Sequence, residues 1–159
     1  MAIKHIINQY YDLGKEMEEL RPKIEHLENE IKKIENRIAE IEEGETVKDK
    51  VKGGFGGLQT FTIEGIPSKE YNNKKMELHV KKTLLESRKE TLKALELEDL
   101  RQITIIEEFI NGISDAHARC IVRLRVINKL SWREVAEQIG GGNTEDSVRM
   151  IFNRCLQEK

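Results

Sequence analysis

Apolar residues recur along the first quarter of the chain in an unbroken alternation of four and three: Ile6, Tyr10, Leu13, Met17, Leu20, Ile24, Leu27, Ile31, Ile34, Ile38 and Ile41. These steps place every one of them on a single narrow stripe of a helix, the seam of a coiled coil. Glu, Lys and Arg flank the stripe. A helix over residues 6–41 is about 54 Å long at 1.5 Å per residue, and so narrow a seam needs a second helix to cover it. Pro22 falls on the outer side. It removes one backbone hydrogen bond, at about 3 kcal/mol, but the heptad phase runs straight through it and predicts one continuous, kinked helix. Glu43-Gly44 closes the helix.

The pattern then changes. Phe61 and Ile63 alternate with Thr60, Thr62 and Glu64, which reads as a short strand, and Thr46-Val47 with Val51 offers a facing strand. The cluster Gly53-Gly54-Phe55-Gly56-Gly57 lacks the Lys-Ser/Thr and the helix start of a phosphate loop, so it reads as a turn. Residues 69–111 return to a helical pattern. Leu78, Leu85 and Leu92 lie seven apart, with Met76, Val80, Leu84, Leu95 and Leu97 around them, and Lys81, Lys82, Arg88 and Lys89 break the stripe. Past Leu95 it strengthens through Leu100, Ile103, Ile106, Phe109, Ile110 and Ile113. Two long helices joined by a short tip predict an antiparallel hairpin. The surplus apolar surface predicts a homodimer closing a four-helix bundle, with Leu13, Met17, Leu20, Ile24, Leu27, Ile31, Ile34 and Ile38 as its seam.

Three shorter helices follow. Ser114 and Asp115 cap one that runs to about Ile127, with Cys120, Ile121, Leu124 and Ile127 inward. Ser131 caps the next, and Glu134 three residues on completes a capping box. Val135, Ala136 and Ile139 form its apolar face, and Gly140-Gly141-Gly142 stops it. Thr144 caps the last helix, with Glu145 and Asp146 at its positive end. Val148, Phe152, Cys155 and Leu156 share its inner face. Ser147, Arg149, Met150, Asn153 and Arg154 lie outward. Ile113, Ile121, Leu124, Leu130, Trp132, Val135, Ala136, Ile139, Val148, Phe152 and Leu156 make the expected core. Helix, tight turn and helix with a polar, basic outer face is the outline of a helix-turn-helix DNA reader.

The expected fold is therefore all-α. A long antiparallel coiled-coil hairpin, residues 1–112 with a small β/loop tip at 44–69, precedes a three-helix helix-turn-helix domain at 113–159.

The segment 121–156 resembles region four of bacterial sigma factors, and more narrowly the small sigma-region-four-like regulators of phages and prophages, including the ArpU-type late regulators. Leu124-Arg125, the run Leu130-Ser131-Trp132-Arg133-Glu134-Val135-Ala136, and Val148, Arg149, Phe152, Arg154 and Leu156 carry the resemblance. It covers about the last 40 residues. The turn GGGNTED is longer than the usual turn of that group. The resemblance implies duplex-DNA binding and a role in transcription, with host RNA polymerase as a further partner.

Composition adjusts this picture only slightly. The net charge is −2 and 35% of residues are charged. From Ser114 to Lys159 eight Lys/Arg face six Asp/Glu, while the rest of the chain is acidic, so the small basic excess sits with the reader. Base-edge or phosphate contact is expected from Arg149 and Arg154 first, then Ser147, Asn153, Asn143, Thr144 and Met150, with Arg125 and Arg133 at the rim. The competing reading pairs Arg149 and Arg154 with Glu145, Asp146 or Glu158 along the helix. Cys120 and Cys155 read as reduced core residues.

His5, His26, His79 and His117 are scattered along the chain and are read as giving no metal site. No nucleophile–base arrangement stands out, so neither an enzyme nor a cofactor is expected. No long apolar run predicts a membrane span, and the N-terminus lacks a signal-peptide core, which predicts a cytoplasmic protein of the bacterial host cell. Two other functions fit the same outline. One is a protein-binding inhibitor of a host defence nuclease, anti-CRISPR-like, working through the coiled coil. The other is a small terminase component of DNA packaging.

Overall fold

A computed structural model of the chain describes residues 2–44, 47–53, 59–65 and 67–157. Helix α1 spans Ile3–Glu43, strands β1 and β2 span Val47–Gly53 and Gln59–Gly65, and helix α2 spans Ser68–Asn111. Helices α3, α4 and α5 follow at Ala116–Val126, Trp132–Ile139 and Glu145–Gln157. Helix α1 runs uninterrupted through Pro22, which is exposed, so the carbonyl that loses its partner lies on a wet turn. Among the described residues, no helix is long and apolar enough to cross a membrane.

The chain divides into two compact units, residues 19–92 and residues 1–18 with 93–159. The core therefore does not end at residue 112, where the sequence placed the domain boundary.

In the unit 19–92, α1 and α2 lie antiparallel. Ion pairs join Glu42 to Lys75 at 3.4 Å, Glu35 to Lys82 at 2.6 Å, Glu30 to Lys81 at 3.1 Å and Glu28 to Lys89 at 2.5 Å, so from the first pair to the last the α2 partner moves up the chain as the α1 partner moves down. The α1 seam is buried at Ile24, Leu27, Ile31, Ile34, Ile38 and Ile41. It is thus covered by its own chain rather than left open for a second copy.

The α2 side of the same contact differs from its apolar pattern. Lys81 and Arg88, which seemed to break the stripe, face the contact. Lys81 reaches Glu30, and Arg88 Nη1 donates to the Lys23 carbonyl at 3.1 Å. Met76, Val80 and Leu84, placed near the seam by sequence, are instead 72%, 59% and 43% exposed. Long cationic stems cover apolar surface while their heads reach acids at the rim. That lets α2 turn its Leu78, Leu85 and Leu92 row inward and leave the other row outside.

The tip is an antiparallel hairpin, with Val51 opposite Phe61 and Asp49 opposite Ile63. The sequence expected these strands. Thr46 and the glycine cluster at Gly54, Gly56 and Gly57 around Phe55 lie outside the described residues, as does Glu158.

In the other unit, Ile6, Ile7 and Tyr10 of α1 and Ile106 and Ile110 of α2 share one core with Ile121, Val122 and Val126 of α3, Val135 of α4, and Val148 and Phe152 of α5. Helix α3 is sandwiched, so it buries two faces. A one-face reading put Cys120 inward and missed Val122 and Val126, while Ile127, also expected inward, is partly buried against the core. The structure leaves Cys120 exposed and Cys155 half-buried. Ile113, Leu130, Trp132, Ile139 and Leu156 line the rim of the core as partly buried residues. Leu97 and Leu100, expected on the stripe, are 54% and 60% exposed.

A polar layer interrupts α2 where it enters this core. Gln102 is buried, its Nε2 donates to Glu98 Oε1 at 2.8 Å, and its Oε1 finds no donor. Asp99 Oδ1 is likewise buried and unpaired. Burial pushes the Asp99 carboxyl above the ordinary carboxylate range, and the Lys129 charge only partly opposes this. A carboxyl raised in the folded state stabilises the fold while it holds its proton. That contribution fades as pH rises from the ordinary carboxylate value through the raised one. Asp99→Asn should therefore raise the melting temperature at pH 7. The gain over wild type should grow across the weakly acidic range and then level off, as read by thermal melts in a pH series. An equal difference at every pH would place the cost elsewhere.

Candidate nucleic-acid interface

The reader is built from its turns outward. Ser131 Oγ accepts the Glu134 amide at 3.3 Å, and Glu134 Oε2 accepts the Ser131 amide at 2.7 Å, so α4 opens with the expected capping box. The Ser131 hydroxyl, donating to Glu134 Oε2 at 2.7 Å, and then the Ser131 amide hold the Glu134 carboxyl below its usual range. Gly140, Gly141 and Gly142 end α4 with φ of 68°, 63° and 77°. Three successive positive values are cheap only for glycine. Asn143 Nδ2 then closes the turn on the Gly140 carbonyl at 2.7 Å.

Helix α5 has its own reciprocal cap. The Ser147 amide donates to Thr144 Oγ1 at 3.2 Å. Ser147 Oγ accepts the Thr144 amide at 3.0 Å and donates to the Thr144 carbonyl at 2.8 Å.

These bonds sort the residues expected to touch DNA. Ser147, Thr144 and Asn143 hold the turn together, and the Ser147 hydroxyl spends its one donor there. Arg125 is structural as well: Nη1 donates to the Leu130 carbonyl at 2.6 Å and the guanidinium lies 4.6 Å from the Trp132 ring. Trp132 in turn packs edge-on against Phe152 at 5.1 Å. Arg133 Nε pairs with Glu137 at 2.9 Å, which raises its pKa further, with a smaller push from Glu145.

Arg149, Met150, Asn153 and Arg154 remain exposed on α5, with Met150 at 65%. At 100° per residue, Arg149 and Arg154 stand about 140° apart around the helix, so they flank the face rather than share its centre. Arg154 also lines a cleft of about 500 Å³ with Phe109, Ile113, Asp115 and Ile151.

The charge around this face is not what the regional count suggested. Over 132–157, Arg133, Arg149 and Arg154 meet Glu134, Glu137, Glu145 and Asp146, a slight acidic surplus. The basic excess lies instead on α3 and the turn after it, at Arg119, Arg123, Arg125 and Lys129. Arg119 Nη1 is committed to the Ile113 carbonyl at 2.6 Å and the Ser114 carbonyl at 3.2 Å. Counting charges along the chain cannot separate cations bound to carbonyls from cations free for phosphate. Among the described residues, no group of three His, Cys, Asp or Glu side chains could hold a metal ion.

The reciprocal cap makes a stability prediction. Thr144→Ala and Ser147→Ala should each cost about 1 kcal/mol in denaturant unfolding, and the double variant should cost less than the sum because both act in one pair. If Ser147→Ala instead weakened DNA binding at unchanged stability, the hydroxyl would belong to the DNA contact.

No protein-family model matches the chain, and neither a curated protein nor a solved structure matches it.

Proposed function

We propose that the chain is a duplex-DNA-binding transcriptional regulator of the sigma-region-four type, encoded by a phage or prophage, with α5 entering the major groove and host RNA polymerase as a further partner. The observation that carries this reading is the helix α4, glycine turn and helix α5 assembly, with Arg149, Met150 and Asn153 presented on the open face of α5. Arg149 can donate two hydrogen bonds to guanine O6 and N7, Asn153 can bridge adenine N6 and N7, and Met150 can meet a thymine methyl. With so few free cations on α4 and α5, the electrostatic part of the affinity is small, and a weak single reader gains from acting as a pair.

Binding to random and genomic duplexes across a salt series tests the reading. The expected slope is shallow, about −0.9 per phosphate contact, and Arg149→Ala should cost about 1–3 kcal/mol on a preferred site. Absence of binding at low salt would overturn the proposal.

A second reading, a protein-binding body, draws on a different observation. In the unit 19–92, Met76, Val80 and Leu84, four residues apart on α2, are all exposed. Contiguous exposed apolar surface marks interaction sites. With the α1 seam already covered, the expected homodimer has this row of α2 available to it. Light scattering at micromolar concentration should give a dimer mass that Val80→Glu with Leu84→Glu returns to a monomer. A monomer in the wild type would remove the homodimer from the proposal.

A further inference from the structure

We propose that a cleft between α1 and the turn that follows α3 is a phosphate-binding site, formed by Lys129, Lys15 and Arg125. The cleft holds about 300 Å³ and is lined by Tyr11, Gly14, Lys15, Glu18, Arg125 and Lys129.

Two backbone features shape this place. Gly14 is a buried glycine inside α1, where most residues would serve a helix better. A Cβ there would stand 3.1 Å from the Lys129 ammonium, so a side chain at this position would make the ammonium shift by a few tenths of an ångström. Lys129 has φ of 55°, the only left-handed non-glycine among the described residues. It lies just past α3, where the Leu130 amide turns back to the Leu124 carbonyl at 3.2 Å, and left-handed backbone is common at such a helix end.

The result is a placed cation. The Lys129 ammonium lies 4.8 Å from the centre of the Tyr10 ring and has no carboxylate within ion-pair distance among the described residues. Asp99 is the acid that senses its charge.

The other groups complete an oxyanion site. Arg125 spends one of its five N–H donors on the Leu130 carbonyl, and the Tyr11 hydroxyl donates to the Arg125 carbonyl at 3.0 Å, fixing the backbone beneath it. Lys15 has only a long, exposed contact of 3.4 Å with Asp12. Glu18 is the one carboxylate on the wall, so three cations outnumber it. Two compact ammonium groups and a planar guanidinium suit a tetrahedral oxyanion with several acceptor oxygens better than a single carboxylate. A DNA backbone phosphate and a free phosphate compound share this chemistry.

The test titrates the full chain with inorganic phosphate at pH 7 against chloride of matched ionic strength, read by amide chemical shifts. Saturable shifts confined to residues 10–18 and 123–131 are expected. Lys129→Asn, which tolerates the left-handed backbone, should weaken binding roughly tenfold, as losing one charge-assisted hydrogen bond would. Lys15→Gln, on an exposed turn, should weaken it in the same direction, and Glu18→Gln should tighten it. A response that does not saturate, or that Lys129→Asn and Lys15→Gln leave unchanged from wild type, overturns the site.

A second arm uses duplex DNA. If the phosphate is DNA's, Lys129→Asn lowers the salt slope by about one and inorganic phosphate competes with the duplex. A slope unchanged by the substitution, with the phosphate titration intact, assigns the cleft to a free phosphate compound. Failure of the wild-type chain to bind duplex at all would sink the proposed function while leaving the cleft standing.

Discussion

The reader depends on one burial constraint: its three helices are too short to make a core of their own. Helices α3, α4 and α5 have 11, 8 and 13 residues. Isolated helices of that length are marginal in water, and most of their stability comes from packing. Here the missing partner is the foot of the long hairpin. Ile106 and Ile110 of α2 and Ile7 of α1 are almost completely excluded from solvent, as are Ile121, Val122 and Val126 of α3. Removing the first 18 residues would expose one side of α3. The reader and the foot of the hairpin are one folding unit, which is why the compact division crosses both long helices instead of falling between hairpin and reader.

The second theme is how cations are used. Several of the chain's Lys and Arg residues do structural work. Lys75, Lys81, Lys82 and Lys89 tie α2 to glutamates of α1. Arg88, Arg119 and Arg125 each donate to a backbone carbonyl. Exposed ion pairs add little individually, but they fix which row of α2 faces inward. On α4 and α5 the cations left for a polyanion are few, Arg149 and Arg154 of α5, and beside them stand Arg123 of α3 and the cleft at Lys129. A DNA partner would have to engage both the end of α5 and the foot of α1 to gain substantial electrostatic affinity.

Helix existence, the caps and the hairpin were legible because they are local. A heptad seam, a Ser131–Glu134 box and a triple glycine each declare themselves within a few residues, and the structure carries all three. The tip strands were legible for the same reason, from alternation at Phe61 and Ile63. Side-chain assignments that need a third element were not. Cys120 and Val122 sit two positions apart on a short helix, and nothing local says that α3 is packed from both sides. Ser147 looked like an outward polar residue, although its spacing of three from Thr144 was the one available sign of a reciprocal cap. Gly14, in the middle of the strongest helical pattern, was a signal passed over. The group it meets, the Lys129 ammonium, lies 115 residues away, beyond the reach of any periodicity.

The sequence by itself determined the helices, their ends and the apolar stripe of α1, because backbone hydrogen bonding and amphipathic period act over one or two turns. Tertiary structure alone decided which row of α2 lies inward, which arginines stay free, and that the reader's core is completed by the foot of the hairpin. The physical reason is common to all three. Burial and ion pairing are settled by what lies opposite a side chain, and what lies opposite is known only once distant segments have packed.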